Sequence, residues 1–92
     1  MIRSIRHKGL LRFYESGSRS GVAANHVKRL RILLAALDTA QTIEDIDIPG
    51  FALHRLKGRM KNRWSISVSE NRRLTFEFRD SDVFLLDYED YH

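Results

Sequence analysis

The sequence predicts an α+β domain in which two N-terminal helices pack on one face of a small antiparallel β-sheet. In the first half of the chain, apolar residues recur at steps of three and four, which is typical of amphipathic helices. After Pro49 the period changes to two, which is typical of strands that bury one face. The chain has 92 residues, of which 42% are hydrophobic, so we expect a single domain over residues 1–92.

The helical half begins with residues 2–6, which could form a short first strand. The first helix is predicted over Lys8–Ser16 and ends at Gly17, because glycine favours the left-handed conformation that closes helices. The second helix is predicted from residue 23 to residue 37, and a short turn over Ile43–Ile46 follows. Five apolar residues are expected to form the buried side of the second helix: Val27, Leu30, Leu33, Leu34 and Leu37.

Four strands are predicted in the second half, over residues 51–57, 64–69, 73–79 and 83–88. In the second strand Trp64, Ile66 and Val68 alternate with serines. Successive strand residues point to opposite faces of a sheet, so one face is apolar and packs on the helices. The other face is expected to be exposed and polar, and a ligand could lie there.

Charge and cysteine content restrict the class of function. The absence of cysteine excludes disulfides, thiolate metal sites and thiol nucleophiles. No apolar run is long enough for a signal core or a membrane span, so we expect a cytoplasmic protein. Residues 80–92 hold five acids and no Lys or Arg, whereas residues 1–79 carry a net charge of +9. A basic body favours a polyanionic partner, most commonly nucleic acid.

A row of cations behind His54 is the clearest sign of such a partner. The cations occupy alternate positions and are Arg55, Lys57, Arg59, Lys61 and Arg63. Where this segment is extended, we expect them to project to one side and to contact RNA phosphates. The alternative is a hairpin tip whose charges are merely solvated.

Cleavage of RNA without a metal ion requires three kinds of group. A base takes the proton of the ribose 2′-hydroxyl, an acid protonates the departing 5′-oxygen, and cations stabilise the charge on phosphorus. Histidine suits the acid and base roles, and a neighbouring carboxylate raises its basicity. By residue type the set is His54, Asp90, His92, Lys57 and Arg73. Strand phase favours a common outer face for Arg73, Asp90 and His92.

These residues also have structural interpretations. Residues 90–92 could be a frayed end, His54 could satisfy a strand-edge carbonyl, and Arg73 could form a surface ion pair that contributes little. Tyr91 could cover the core or stack on a nucleobase.

Metal binding is disfavoured as an explanation of these residues. The spacing of His54, Asp90 and His92 matches no standard zinc motif, and no cofactor is expected. Two further histidines, His7 and His26, have no evident partner in the sequence.

Several motifs spread over nearly the whole chain match one family. They are Met1-Ile-Arg-Ser, His7-Lys8-Gly9-Leu10, Leu37-Asp38-Thr39-Ala40, Leu53-His54-Arg-Leu-Lys57-Gly58, Trp64-Ser65-Ile66, Arg73-Leu-Thr75-Phe76 and Tyr88-Glu89-Asp90-Tyr91-His92. In this combination the chain resembles the HigB toxins of bacterial toxin–antitoxin modules, a branch of the RelE-like ribosome-dependent mRNA interferases. No one of these motifs would suffice alone.

The resemblance implies a RelE-like fold and a toxin that cuts translated mRNA in the ribosomal A site, leaving a 2′,3′-cyclic phosphate and a 5′-hydroxyl. The implied catalytic residues are His54, Asp90, Tyr91 and His92, with Lys57 and Arg73 holding the scissile phosphate. The implied partners are the ribosome, mRNA and a HigA-like antitoxin with a helix-turn-helix domain. Operator DNA would be reached only through the antitoxin.

Two positions depart from the family pattern. Arg72 stands where the family commonly has Trp, and Arg59 stands where it commonly has Asp. Both changes add positive charge and bear on specificity rather than on the class of activity.

Two other functions would use the same basic row. A non-catalytic module could bind RNA or the ribosome and block translation by occupancy, which gives residues 90–92 no role. A scaffold or DNA-binding protein is disfavoured by the absence of a helix-turn-helix pattern and by the sheet-rich second half.

Overall fold

The computed structural model describes residues 1–58 and 62–90 as two helices and one four-stranded antiparallel sheet. The helices are α1 (Lys8–Ser16) and α2 (Val27–Thr39). The strands are β1 (His54–Arg55), β2 (Arg63–Ser67), β3 (Arg72–Arg79) and β4 (Asp82–Asp90), and they are neighbours in sequence order. Short 3-10 helices at Ala24–His26 and Ile43–Ile46 precede and follow α2. The predicted α+β class is confirmed.

Both predicted helices are present. The bounds of α1 are those predicted, and Gly17 ends it with φ 77° and an N–H donated to the carbonyl of Phe13 at 2.9 Å. His7 caps the N-terminus of α1, because its Nδ1 accepts a hydrogen bond from the Leu10 N–H at 3.0 Å. The predicted second helix opens as a 3-10 turn and continues to Thr39, and all five of its predicted apolar residues are buried. None of the helices in the described ranges is long and apolar enough to cross a membrane.

Buried residues of the helices and the sheet form one hydrophobic core. We call the sheet face that contributes Ile66, Leu74 and Phe76 to this core the inner face; all three are fully buried. The opposite face is the outer face. It carries Ser65 and Thr75, which lie opposite each other in the ladder between β2 and β3.

The predicted strands at the two ends of the sheet were less accurate. Residues 2–6 do not form a continuous strand but make two parallel bridges to β4, at Ile2 with Val83 and at Ile5 with Leu86. Of the predicted strand 51–57, only His54–Arg55 pairs. Ala52 has φ 52°, a left-handed conformation that interrupts an extended chain.

A bulge in β4 reverses the alternation of its side chains. The register of β3 and β4 shifts between Thr75 and Glu77, and Leu85 has φ 53°. Val83 is buried before the bulge, whereas Leu86 and Tyr88 are buried after it. Residues beyond the bulge therefore face the opposite way from the one that unbroken alternation predicts.

Candidate active site

A cavity of about 230 Å³ opens at the end of the sheet where β2 turns into β3. Its lining includes His54, Ser65, Arg72 and Arg73. In an antiparallel ladder, residues directly opposite share a face. His54 lies opposite Ser65, and Ser65 lies opposite Thr75, so His54 shares the outer face with Arg73 two residues along. The structure thus brings together two of the predicted site residues.

The hydrogen bonding of His54 determines which ring nitrogen can act on a ligand. Its Nδ1 lies 3.1 Å from the carbonyl oxygen of Leu53. A carbonyl oxygen only accepts, so Nδ1 carries a proton and Nε2 is the acceptor of the neutral ring. The side chain does bond a local carbonyl, as its structural interpretation supposes, but this bond leaves Nε2 available. An exposed imidazole in this tautomer can serve as a base.

Asp90 lies on the other face from Arg73, and the prediction that the two share the outer face is wrong. Asp90 pairs with Arg72 in the ladder, whereas Arg73 pairs with Glu89. The reason is the bulge at Leu85, which moves every later residue of β4 to the opposite phase. The Asp90 carboxylate is nevertheless joined to the cavity, because its Oδ1 lies 2.9 Å from Nε of Arg72, which lines it.

The two cations of the predicted row that lie in strands, Arg55 and Arg63, do not project to one side. Arg55 lies opposite Trp64 on the inner-face side, with its guanidinium 5.7 Å from the indole ring. Arg63 adjoins Trp64 and so faces outward. Because the hairpin turn separates them, these two cations project to opposite faces, contrary to the prediction. Lys57 is exposed just after β1.

Arg63 is buried within the outer face, with 8% of its surface exposed. Its guanidinium donates to the hydroxyl of Thr75 and to the carbonyl of Leu85, each at 3.0 Å. The Thr75 hydroxyl also hydrogen bonds to the carboxylate of Glu89. We call Arg63, Thr75 and Glu89 the outer-face network. The burial of Arg63 leaves its guanidinium little surface for a phosphate, which corrects the prediction of an exposed contact.

Four of the predicted site residues lie outside the described residues. They are Arg59, Lys61, Tyr91 and His92. Their roles stay predictions. Among residues 1–58 and 62–90, no group of three or more His, Asp or Glu side chains is arranged to hold a metal ion.

The sequence did not reveal a polar cluster around Tyr88. The Tyr88 hydroxyl lies 2.6 Å from Nδ1 of His26, and the guanidinium of Arg72 lies 4.0 Å from the centre of its ring. The ring of His7 meets Tyr88 edge-on at 5.2 Å. Burial lowers the pKa of His26, and the positive charge of Arg72 lowers it further. His26 and Tyr88 are 62 positions apart, and no sequence spacing connects them. Their contact could therefore be recognised only in the folded structure.

The arrangement can perform proton transfer next to concentrated positive charge. His54 offers an acceptor nitrogen, Arg72 and Arg73 line the same cavity, and Arg72 holds a carboxylate at its margin. Such a set can take a proton from a hydroxyl and stabilise negative charge that develops on a phosphate.

The sequence and the fold both match known toxins. A family described as the RelE-like toxin of the type II toxin–antitoxin system HigB matches residues 3–92. A relative from Proteus vulgaris named Endoribonuclease HigB is 46% identical over 92 residues, which cover 100% of both chains. Two solved structures of YoeB–YefM complexes from Staphylococcus aureus are 16% identical, with TM-scores of 0.65 and 0.64. Each alignment covers 100% of this chain and 95% of the other.

At 16% identity the solved structures show only the fold, which is RelE-like. The sequence matches show the family. The chain belongs to the HigB-like family of RelE-like toxins from type II toxin–antitoxin systems.

Proposed function

We propose that this protein is an endoribonuclease that cleaves translated mRNA in the ribosomal A site without a metal ion and so inhibits translation. The observation that carries the proposal is the cavity shared by His54 and Arg73, in a chain 46% identical to a protein named Endoribonuclease HigB. Both an acceptor nitrogen and a phosphate-binding cation are needed for this reaction, and the two lie on one face of the sheet.

In the proposed reaction a base removes the proton of a ribose 2′-hydroxyl. The 2′-oxygen then forms a bond to the adjacent phosphorus, and the bond from phosphorus to the 5′-oxygen breaks. An acid protonates that 5′-oxygen, so the products are a 2′,3′-cyclic phosphate and a 5′-hydroxyl. The acid and base roles are divided among His54, Asp90 and His92, with Tyr91 as a further catalytic candidate. Lys57 and Arg73 would stabilise the charge on the phosphate.

Positioning on the ribosome would come from exposed cations in the segment that follows His54. Arg55 and Lys57 are exposed, and we assign Arg59 and Lys61 the same role from the sequence. Cation-to-phosphate contacts orient a protein without reading sequence, and they make affinity fall as salt rises.

The partner that neutralises the toxin would be a HigA-like antitoxin with a helix-turn-helix domain. Support comes from the toxin–antitoxin family of this chain and from the YoeB–YefM complexes that share its fold. We propose that operator DNA is bound through the antitoxin and that the complex represses its own operon.

The decisive experiment is primer extension on a message translated by purified ribosomes, with and without the protein. Cuts between the bases of a codon, with 2′,3′-cyclic phosphate ends, are expected only on translated message. His92→Gln and Asp90→Asn are each expected to abolish growth arrest and to slow cutting by about a hundredfold or more while the protein stays folded. A phenanthroline chelator, which leaves ribosomal Mg²⁺ in place, should not slow the reaction.

Three results would contradict the proposal. Arrest of translation with intact mRNA would identify the non-catalytic module that acts by occupancy. Products with 3′-hydroxyl and 5′-phosphate ends would indicate attack by water and so a different mechanism. Full activity of the variant with both His92→Gln and Asp90→Asn would remove the assigned acid/base set.

A further inference from the structure

We infer that Arg72 is a positioning residue that fixes the Asp90 carboxylate at the margin of the cavity. The inference rests on the proposed function, in which Asp90 takes part in proton transfer. We call His26, Tyr88, Arg72 and Asp90 the Arg72 brace. Each residue contacts the next, from His26 in the core to Asp90 at the margin of the cavity.

The outer end of the brace is an ion pair with unequal exposure. Nε of Arg72 lies 2.9 Å from Oδ1 of Asp90, and 63% of the Asp90 side chain is exposed against 29% of the Arg72 side chain. An exposed ion pair by itself contributes little, because two long side chains must be ordered to form it. This pair differs because Arg72 is already held from its other side.

The hold on Arg72 comes from Tyr88. The guanidinium lies 4.0 Å from the centre of the Tyr88 ring, close enough for a cation–π contact. Tyr88 is 3% exposed, and its hydroxyl is fixed by Nδ1 of His26 at 2.6 Å. Burial and the charge of Arg72 lower the pKa of His26, which favours the neutral ring, and in the neutral ring Nδ1 can accept a hydrogen bond from the Tyr88 hydroxyl. The position of the Asp90 carboxylate is therefore set by contacts that extend through Arg72 and Tyr88 into the core.

The brace accounts for how Asp90 can serve a site on the other side of the sheet. Arg72 lines the cavity together with Arg73, although the two neighbours start from opposite faces. A carboxylate bonded to Arg72 lies next to the cavity without belonging to the outer face. Because proton transfer depends on geometry at the scale of an ångström, loosening this carboxylate should slow the chemical step.

The test is a double-mutant cycle on single-turnover mRNA cleavage, using purified ribosomes with a programmed A site. Arg72→Gln is expected to lower the cleavage rate about tenfold to a hundredfold, with ribosome affinity changed less than about twofold. Arg72→Lys should keep part of the rate, because an ammonium can pair with Asp90 but lacks the planar group that lies over Tyr88. In the Asp90→Asn background, Arg72→Gln should cause no further loss.

A matched control lies at the other end of β3. Arg79 also places its guanidinium over an aromatic ring, at 4.2 Å from that of Phe84, and lies 4.0 Å from the Glu77 carboxylate. Arg79→Gln removes the same kind of contacts away from the cavity. Its cleavage rate should stay within about twofold of the original protein, because the lost surface contacts contribute little.

Each contrary outcome has a separate meaning. An unchanged rate for Arg72→Gln, or the same loss with and without Asp90→Asn, would overturn the inference, since Arg72 would then act alone or not at all. A rate loss that follows the loss in thermal stability across Arg72→Gln, Arg72→Lys and Arg79→Gln would also overturn it. If the unaltered protein makes no cuts, the proposed function fails first, whatever Arg72 does. If Arg72→Gln does not fold, Arg72→Lys in both backgrounds decides the matter.

Discussion

The two faces of the sheet come from the same strands but are stabilised by different chemistry. On the inner face, Ile66, Leu74 and Phe76 are fully buried and apolar, and they join the helices in one core. On the outer face, Thr75 is as fully buried as they are, yet it is polar and is bonded to Arg63 and Glu89. The cavity lies beside this polar face. Alternate residues of one strand can thus carry stability and chemistry separately.

The largest expected effect is on activity alone, at the edge of the outer face. His54→Gln should lower single-turnover mRNA cleavage about a hundredfold to ten-thousandfold, because it removes an acceptor nitrogen from the cavity. The midpoint of thermal unfolding should stay where it is, since His54 is exposed. If His54→Gln lowered stability as well as activity, the two faces would not carry stability and chemistry separately.

The next effect is on stability alone, at the centre of the inner face. Phe76→Ala should lower the free energy of unfolding by about 3–5 kcal/mol, because it opens a cavity in a fully buried position. Urea unfolding followed by circular dichroism measures the change. Any protein that remains folded should cleave at the original rate per folded molecule, and a slower rate would link the core directly to the chemistry.

A smaller loss of stability is expected from the outer-face network. Thr75→Val keeps the shape of the side chain but removes the hydroxyl that bonds the buried guanidinium of Arg63. We expect a loss of about 1–3 kcal/mol, because the Arg63 guanidinium keeps its bond to the carbonyl of Leu85 but loses the one to Thr75, and Glu89 loses its bond to the hydroxyl.

The same substitution at the end of α2 provides the control. Thr39 bonds a helix carbonyl at 2.9 Å in an exposed setting, so Thr39→Val should change stability by less than about 0.5 kcal/mol. Equal losses of stability in Thr75→Val and Thr39→Val would show that burial does not strengthen the contribution of the Thr75 hydroxyl.

The smallest effect concerns pH and the polar cluster around Tyr88. Because the pKa of His26 in the folded protein lies below its ordinary 6.5, the unfolded chain binds a proton more readily. The stability that the neutral ring provides is therefore complete above pH 6.5 and is lost as the pH falls from there through the folded pKa.

Unfolding free energies measured at several pH values should show this loss in the original protein and a shallower slope in His26→Gln. Tyr88→Phe should retain the slope, because burial is the larger cause of the shift. An unchanged slope in His26→Gln would assign the acid sensitivity to other groups.

Local patterns were enough to predict the helices and the inner face. The three- and four-residue period of α2 and the glycine at position 17 depend only on neighbouring residues, and both predictions are confirmed. The alternation of Ile66 with serines likewise places the core on one side of β2.

Features that depend on distant partners were not accessible from the sequence. The left-handed Leu85 carries no glycine or asparagine signal, so the reversed phase of β4 and the resulting position of Asp90 were mispredicted. The bond between His26 and Tyr88 joins parts of the chain with no common period. The unbroken ladder brings His54 and Arg73 to one face, and their roles there stay predictions. The face predicted for Asp90, which lies beyond the bulge, was wrong.

The parallel bridges between residues 2–5 and β4 bear on the order in which the sheet forms during folding. The amino group of Met1 donates to the carbonyl of Ser81 and pairs with Asp82, and Ile5 bridges to Leu86. The hydrogen bond from Met1 to Ser81 spans 80 positions of the chain, and closing so long a loop costs conformational entropy before the contacts can stabilise it. We therefore expect this edge of the sheet to form late in folding, after the local hairpins of β2, β3 and β4.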